Sequence, residues 1–229
     1  MIERHGVVFL FDVDNPLLDN DRIRADLNRH LEECYGAATR DRYWSIFETL
    51  TRQLGYSDYL GALERYRVED LHNPALLRMA NWMVDYPFAE RLYPRAFDAV
   101  AHAGRWGPSA ILSDGDAVFQ PRKIERSGLW DFFENRVLIY IHKENELDDV
   151  ERLYPAEHYV MIDDKLRILS RIKEVWGKRV TTVFAAQGRY ALDPDIIAAY
   201  PQADIRLDDI ADLLGYDWAD FRNAAQSRP

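Results

Sequence analysis

The sequence predicts an α/β protein: a parallel sheet of alternating strands and helices, interrupted by one all-helical insertion. Three observations carry this reading. Short runs rich in Val, Ile and Phe recur along the chain and are continuous in polarity, as strands covered on both faces are. Amphipathic stretches of helical period separate them, the order that produces crossovers and a parallel sheet. Between the first two runs the chain is far longer than a crossover needs and holds no strand candidate.

Taken in order, residues 7–11 (VVFLF) form the first strand. The insertion follows, over residues 18–88. Ile23, Leu27 and Leu31 fall four apart, and Tyr43, Ile46, Phe47, Leu50 and Leu54 make a second apolar stripe after Thr39, an N-cap candidate. Further helices are expected over residues 59–70 and 75–84. These four helices should pack on themselves and sit over the sheet as a cap, leaving residues 1–17 and 89–229 as the core domain. The aromatics Trp44, Phe47, Tyr56, Tyr59 and Tyr66 could line a substrate cleft, with packing of this small bundle the favoured reading. Pro87 and Pro94 punctuate the return to the sheet.

Beyond it come a helix (94–104), a strand at 109–113 (SAILS), a helix (121–129) and a strand at 137–141 (VLIYI). A strand at 159–162 (YVMI), a helix from 165 to the closing glycine at 177 and a strand at 180–184 (VTTVF) follow. A weak strand at 203–207 and an Asp-rich helix start at Asp208 complete the expectation.

Composition narrows the function. The 229 residues are 48% hydrophobic and 30% charged, with a formal charge of -10. That balance excludes disorder, and the acidic excess argues against nucleic acid as a partner. No apolar run approaches a bilayer span and no signal-peptide pattern opens the chain, so a cytoplasmic protein without membrane contact is expected. The single cysteine, Cys34, forbids an intramolecular disulfide and is read as a packed helix residue. Nothing in the sequence sets an oligomeric state.

Ligands of an open parallel sheet collect outside the carboxyl ends of its strands. Every chemically capable residue falls there: Asp12 and Asp14 after the first strand, Ser113 after the second, Lys143 after the third, Asp163 and Asp164 after the fourth. Two carboxylates at i and i+2 project to one side and are costly unless a cation compensates them. A hard divalent cation would, and Asp163 or Asp164 adds the further carboxylate it needs. Lys143 and Ser113 supply a charge and a hydroxyl for a phosphoryl group beside it. Asp12 would then be the nucleophile and Asp14 the general acid and then base. Asp114 and Asp116 flank Ser113; their side chains should turn away while backbone N–H groups of the Gly115 turn face the phosphate, so Asp114 is counted with the phosphate-binding residues.

On FDVDN, ILSDGD, IHKEN and VMIDD, supported by RLYPRAF and SGLWDFFE, the chain resembles the haloacid dehalogenase superfamily of aspartate-dependent phosphohydrolases over nearly its whole length. The resemblance implies a Rossmann-like core with a helical cap inserted after the first motif, a Mg²⁺ requirement and an aspartyl-phosphate intermediate. It implies that the metal is held by the Asp12 side chain, the Asp14 backbone carbonyl and an acid of the last motif, Asp164 with Asp163 as its companion. The expected substrate is a small phosphorylated metabolite.

Lys123 rivals Lys143 as the phosphate-binding lysine, but its place inside an expected helix assigns it to a solvated face. The chain departs from the family pattern in two places. Pro16 stands where Thr or Val is usual; it brings no hydroxyl or N–H and biases Asn15 towards extended backbone. Ile168 and Leu169 stand where an Asn or Asp often supports the metal-binding acid. They favour a rival reading, a degenerate member that binds a phosphorylated ligand with little or no turnover. Dehalogenation through Asp12 is a further rival, against which Asp14 and the Asp163–Asp164 pair count. Of six scattered histidines, His142 alone adjoins a site residue.

Overall fold

The computed structural model describes residues 4–226. Strands β1 (His5–Phe11), β2 (Ser109–Asp114), β3 (Val137–Tyr140), β4 (Ala156–Asp163), β5 (Val180–Ala185) and β6 (Ile205–Leu207) form one sheet in the order β3-β2-β1-β4-β5-β6. Every neighbouring pair is parallel. The expected α/β class, a Rossmann-like core carrying inserted helices, is what the chain adopts. Phe11 pairs with Ile111 on one side and Ile162 on the other, and beyond it β2 runs on to Asp114 and β4 to Asp163. The chain runs outward from β1 in one direction to β2 and β3, then returns to β1's other side with β4. That reversal opens a crevice above β1.

Alternation along β1 splits the core into two layers. Val7, Phe9 and Phe11 join one apolar cluster, built with α5 (Ala96–Ala103), α6 (Phe119–Arg126), α7 (Leu129–Phe132) and α11 (Trp218–Gln226). Val8 and Leu10 face the other, with α8 (Leu147–Leu153) and α9 (Leu166–Trp176). A short α10 (Pro194–Ala198) lies between β5 and β6. The expected strand over 137–141 is half-buried rather than covered on both faces, because β3 is a sheet edge.

Between β1 and α5 lie α1 (Asn20–Tyr35), α2 (Ala37–Leu54), α3 (Tyr59–Glu69) and α4 (Pro74–Asp85). Their inner faces form a third cluster, to which the core contributes Phe119. Thr39 caps nothing: α2 begins at Ala37, directly after Gly36, whose left-handed φ of 85° makes the break from α1. Cys34 is exposed on α1 rather than packed. Buried Asp26 ties the insertion's entry to its exit, accepting hydrogen bonds from Tyr86 Oη (2.6 Å) and Arg91 Nη2 (2.9 Å). Among the described residues no helix is long and apolar enough to cross a membrane.

His158, buried on β4, has Nε2 2.8 Å from Thr181 Oγ1, whose own hydrogen goes to the Phe221 carbonyl. The imidazole is therefore the donor. Burial, reinforced by Lys173, pushes its pKa down from 6.5 to about 4. Between these values the unfolded chain binds the extra proton and the folded chain does not, so stability falls as pH falls. Acidifying from pH 7 to 5 is expected to remove about 2 kcal/mol through this group. Urea midpoints of the parent and His158→Gln across that range should show the slope reduced in the variant; equal slopes would refute the assignment.

Candidate active site

The first loop opens where β1 leaves the sheet. Asn15 takes a left-handed φ of 74°, not the extended backbone expected before Pro16. A short polar side chain tolerates that region, and the Asn15 N–H is held by the Leu18 carbonyl at 2.7 Å. The turn aims Asp12 inward and Asp14 towards the insertion. Asp12 is 2% exposed; its Oδ1 accepts from Ser113 Oγ at 2.9 Å and lies 2.8 Å from Lys143 Nζ, while its buried Oδ2 has no hydrogen-bond partner.

Lys143 stands at the end of β3, fully buried. Its ammonium is 2.8 Å from Asp12 Oδ1, 2.7 Å from Asp163 Oδ2 and 3.0 Å from the Leu112 carbonyl. Asp114 accepts the Lys143 backbone N–H at 2.7 Å, turning its carboxylate to bind the β3 loop, and Asp116 accepts the N–H groups of Val118 and Phe119. Both acids spend their charge on backbone donors, and Asp114, expected to turn away, lines the cavity. Ser113, assigned to phosphate, donates to Asp12, with Gln120 Nε2 behind it at 3.0 Å.

Asp12, Asp163 and Asp164 each bring a carboxylate oxygen within 4.8 Å of the others'. Asp163 accepts the Lys165 N–H through Oδ1, and its Oδ2, which makes no hydrogen bond, is ion-paired with Lys143 at 2.7 Å. Asp164 accepts from Asn15 Nδ2 at 2.8 Å through Oδ2 and keeps a buried Oδ1 without a partner. Two unpartnered carboxylate oxygens facing one small volume suit a hard divalent cation. Asp12 and Asp164 would hold it, with Asp163 as their neighbour. The Asp14 side chain is not part of this cluster, which leaves its backbone carbonyl as the group the resemblance assigns.

The electrostatics follow burial. For Asp12 desolvation acts to raise the pKa, but the charges of Lys143 and Lys165 and the donors around it prevail and hold it below the usual carboxylate range. Burial lifts Asp163 to about 6, against the pull of Lys143. Burial also raises Asp164 well above its ordinary value, against Lys165.

Lys123 is the main correction to the sequence reading. It is 1% exposed, not solvated, and its Nζ lies 2.7 Å from Asp14 Oδ1 and 3.2 Å from Asn20 Oδ1. Ile168 and Leu169 are on the buried face of α9, packed with the apolar cluster under the sheet, so the support for Asp164 comes from Asn15 instead. Lys165 and Gln120 were not foreseen. The tandem acids of VMIDDK could have flagged Lys165, whereas nothing local marks Gln120. His142 adjoins the insertion: a Cβ on Gly55, at the end of α2, would stand 2.9 Å from its ring.

Above Asp14, Asn15, Lys123, Asp164 and Lys165 lies a cavity of about 280 Å³, walled by Tyr56 and Tyr59 of the insertion and by Tyr190 and Tyr200 of the core. Gly188 packs closely on Asn15: at φ 74° its Cβ would fall 2.5 Å from Asn15 Cγ. Gly188→Ala is expected to cost on the order of 1–3 kcal/mol and to displace the Asn15 bond to Asp164. Thermal unfolding should show the loss, and Asn15→Ala should make the two changes less than additive. Full additivity would mean that the two residues do not meet.

A parallel sheet whose order reverses at a buried carboxylate, with a lysine and two further acids on adjoining strand ends, defines an aspartate-centred α/β hydrolase. The chain belongs to the haloacid dehalogenase-like hydrolases. It is 59% identical to a protein of Burkholderia xenovorans LB400 described as a haloacid dehalogenase-like hydrolase, over 93% of this chain and 99% of that one, with a TM-score of 0.90. The fold is shared with the L-2-haloacid dehalogenase of Xanthobacter autotrophicus (19% identity, 92% and 97% coverage, TM-score 0.58). It is shared also with a HAD-hydrolase of Bacillus subtilis bound to magnesium (18%, 93% and 98%, 0.59). No family model matches the chain, and no curated protein does.

Proposed function

We propose that this hydrolase is a Mg²⁺-dependent phosphatase acting on a small phosphorylated metabolite, in the cytoplasm. The observation that carries the reading is a second carboxylate, Asp14, at the cavity floor beside the buried Asp12, Asp163 and Asp164 cluster. Hydrolysis of a carbon–halogen bond needs neither the second acid nor a cation site.

Asp12 attacks phosphorus through a carboxylate oxygen; the P–O ester bond breaks, and its electron pair leaves with the substrate oxygen, which takes a proton from Asp14. In the return step Asp14 takes a proton from water, the water oxygen bonds to phosphorus, and the Asp12–phosphorus bond breaks to restore the carboxylate and release phosphate. Lys143 and Ser113 hold Asp12 during both steps. Mg²⁺, when bound, would screen the attacking carboxylate from the anionic substrate. The aromatic walls suit an ester with a flat or apolar body.

Turnover of 4-nitrophenyl phosphate with and without Mg²⁺, beside chloride release from 2-chloropropionate, tests the reading. Phosphate release that requires Mg²⁺ is expected. Chloride release without metal would select a dehalogenase instead. Phosphate-analogue binding with no turnover would select a degenerate binder, the rival that Pro16 favours.

A further inference from the structure

Lys123 lies on α6, outside the strand ends that carry the other charged groups of the site. A buried ammonium costs several kcal/mol unless closely paired, and the acceptors nearest this one are informative. One is Asp14 Oδ1 at 2.7 Å; the other is Asn20 Oδ1 at 3.2 Å, on the first residue of α1. The aliphatic stem leaves Nζ 5.4 Å from the centre of the Phe119 ring, itself packed in the insertion's apolar cluster. One cation thus joins the core helix, the first loop and the insertion at the floor of the cavity.

Asp14 needs such a holder. It is 23% exposed, on a loop that has left the sheet. Pro16 supplies neither a hydroxyl nor an N–H to orient it. With Oδ1 engaged by Lys123, the proton exchanged with substrate belongs to the other oxygen.

We propose that Lys123 is a positioning residue for the second acid, holding Asp14 where the leaving oxygen of a phosphomonoester must be protonated. This rests on the phosphatase reading. Its consequence is selective: protonation matters for a basic alkoxide leaving group and hardly at all for an acidic phenol.

The test compares kcat/KM for 4-nitrophenyl phosphate and 3-phenylpropyl phosphate, with Mg²⁺, in the parent, Lys123→Met, Lys123→Arg and Asp14→Asn. In Lys123→Met the alkyl ester should lose about 10²-fold or more and the aryl ester less than about tenfold, within the range of general acid–base catalysis. Lys123→Arg should regain part of the alkyl activity. The ratio of the two esters does not depend on how much variant is folded, so a merely structural role would lower both equally. Equal loss, or no loss, in Lys123→Met while Asp14→Asn discriminates between the esters would overturn this proposal alone. No turnover of either ester by the parent would overturn the phosphatase reading and this proposal with it.

Discussion

Asp12→Asn is expected to lower phosphate release by at least about 10⁴-fold, the scale of removing a nucleophile that works as part of a unit. The amide is nearly isosteric, and its oxygen still accepts from Ser113 and Lys143, so geometry persists while nucleophilicity is lost. Stability should fall with activity. The charges of Lys143 and Lys165 and the donors around Asp12 hold its carboxyl below the usual range, so the ionised group contributes to the folded state and neutralising it removes that contribution. The unfolding temperature without metal should therefore fall at neutral pH. Single-turnover phosphate release and thermal unfolding check the two halves. Activity within tenfold of the parent would place the nucleophile elsewhere.

The second large effect is on stability. Lys143→Met removes the ammonium from between Asp12, Asp163 and the Leu112 carbonyl. The carboxylates stay buried and lose their counter-charge, and breaking a buried pair in this way costs about 3–5 kcal/mol. For a chain of this size that corresponds to a fall in unfolding temperature on the order of 10 °C. Its pH dependence has a definite sign. Burial already lifts Asp163 to about 6, above its unfolded value of 3.8, so the folded state binds protons that the unfolded chain has released. A carboxyl of that kind stabilises at low pH and loses its contribution as pH rises through the folded pKa. Loss of Lys143 raises the folded value further. The deficit relative to the parent should accordingly be greatest at pH 8 and shrink towards pH 5, opposite in direction to the His158 effect. Urea midpoints at the two pH values, in chelator, measure it. A deficit independent of pH would mean that lost packing, not unpaired charge, is the cause.

Much of this site is legible in the sequence because each residue sits at the end of an apolar run. Asp12, Ser113, Lys143 and Asp163 need only a parallel sheet to be brought to one rim, and the runs announce that sheet. Residues that reach the site from helices were not legible. Lys123 belongs by spacing to α6, and nothing along the chain says that this face turns under the insertion towards Asp14. Ile168 and Leu169 were weighed as missing partners of Asp164, although their helical period places them against the sheet. Asn15, one residue before a proline, was expected to be extended; its side chain and the Leu18 carbonyl outweigh that bias.

By itself the sequence determined the alternation of strand and helix, the place of the insertion and the strand-end residues, since periodicity and burial are local properties of a chain. Only the tertiary structure decided that Lys123 pairs with Asp14, that Asn15 supports Asp164, and that the spare Asp163 oxygen is ion-paired with Lys143 while that of Asp164 is not. Those outcomes depend on which helix face meets which loop, and that is settled by packing between segments far apart in the chain.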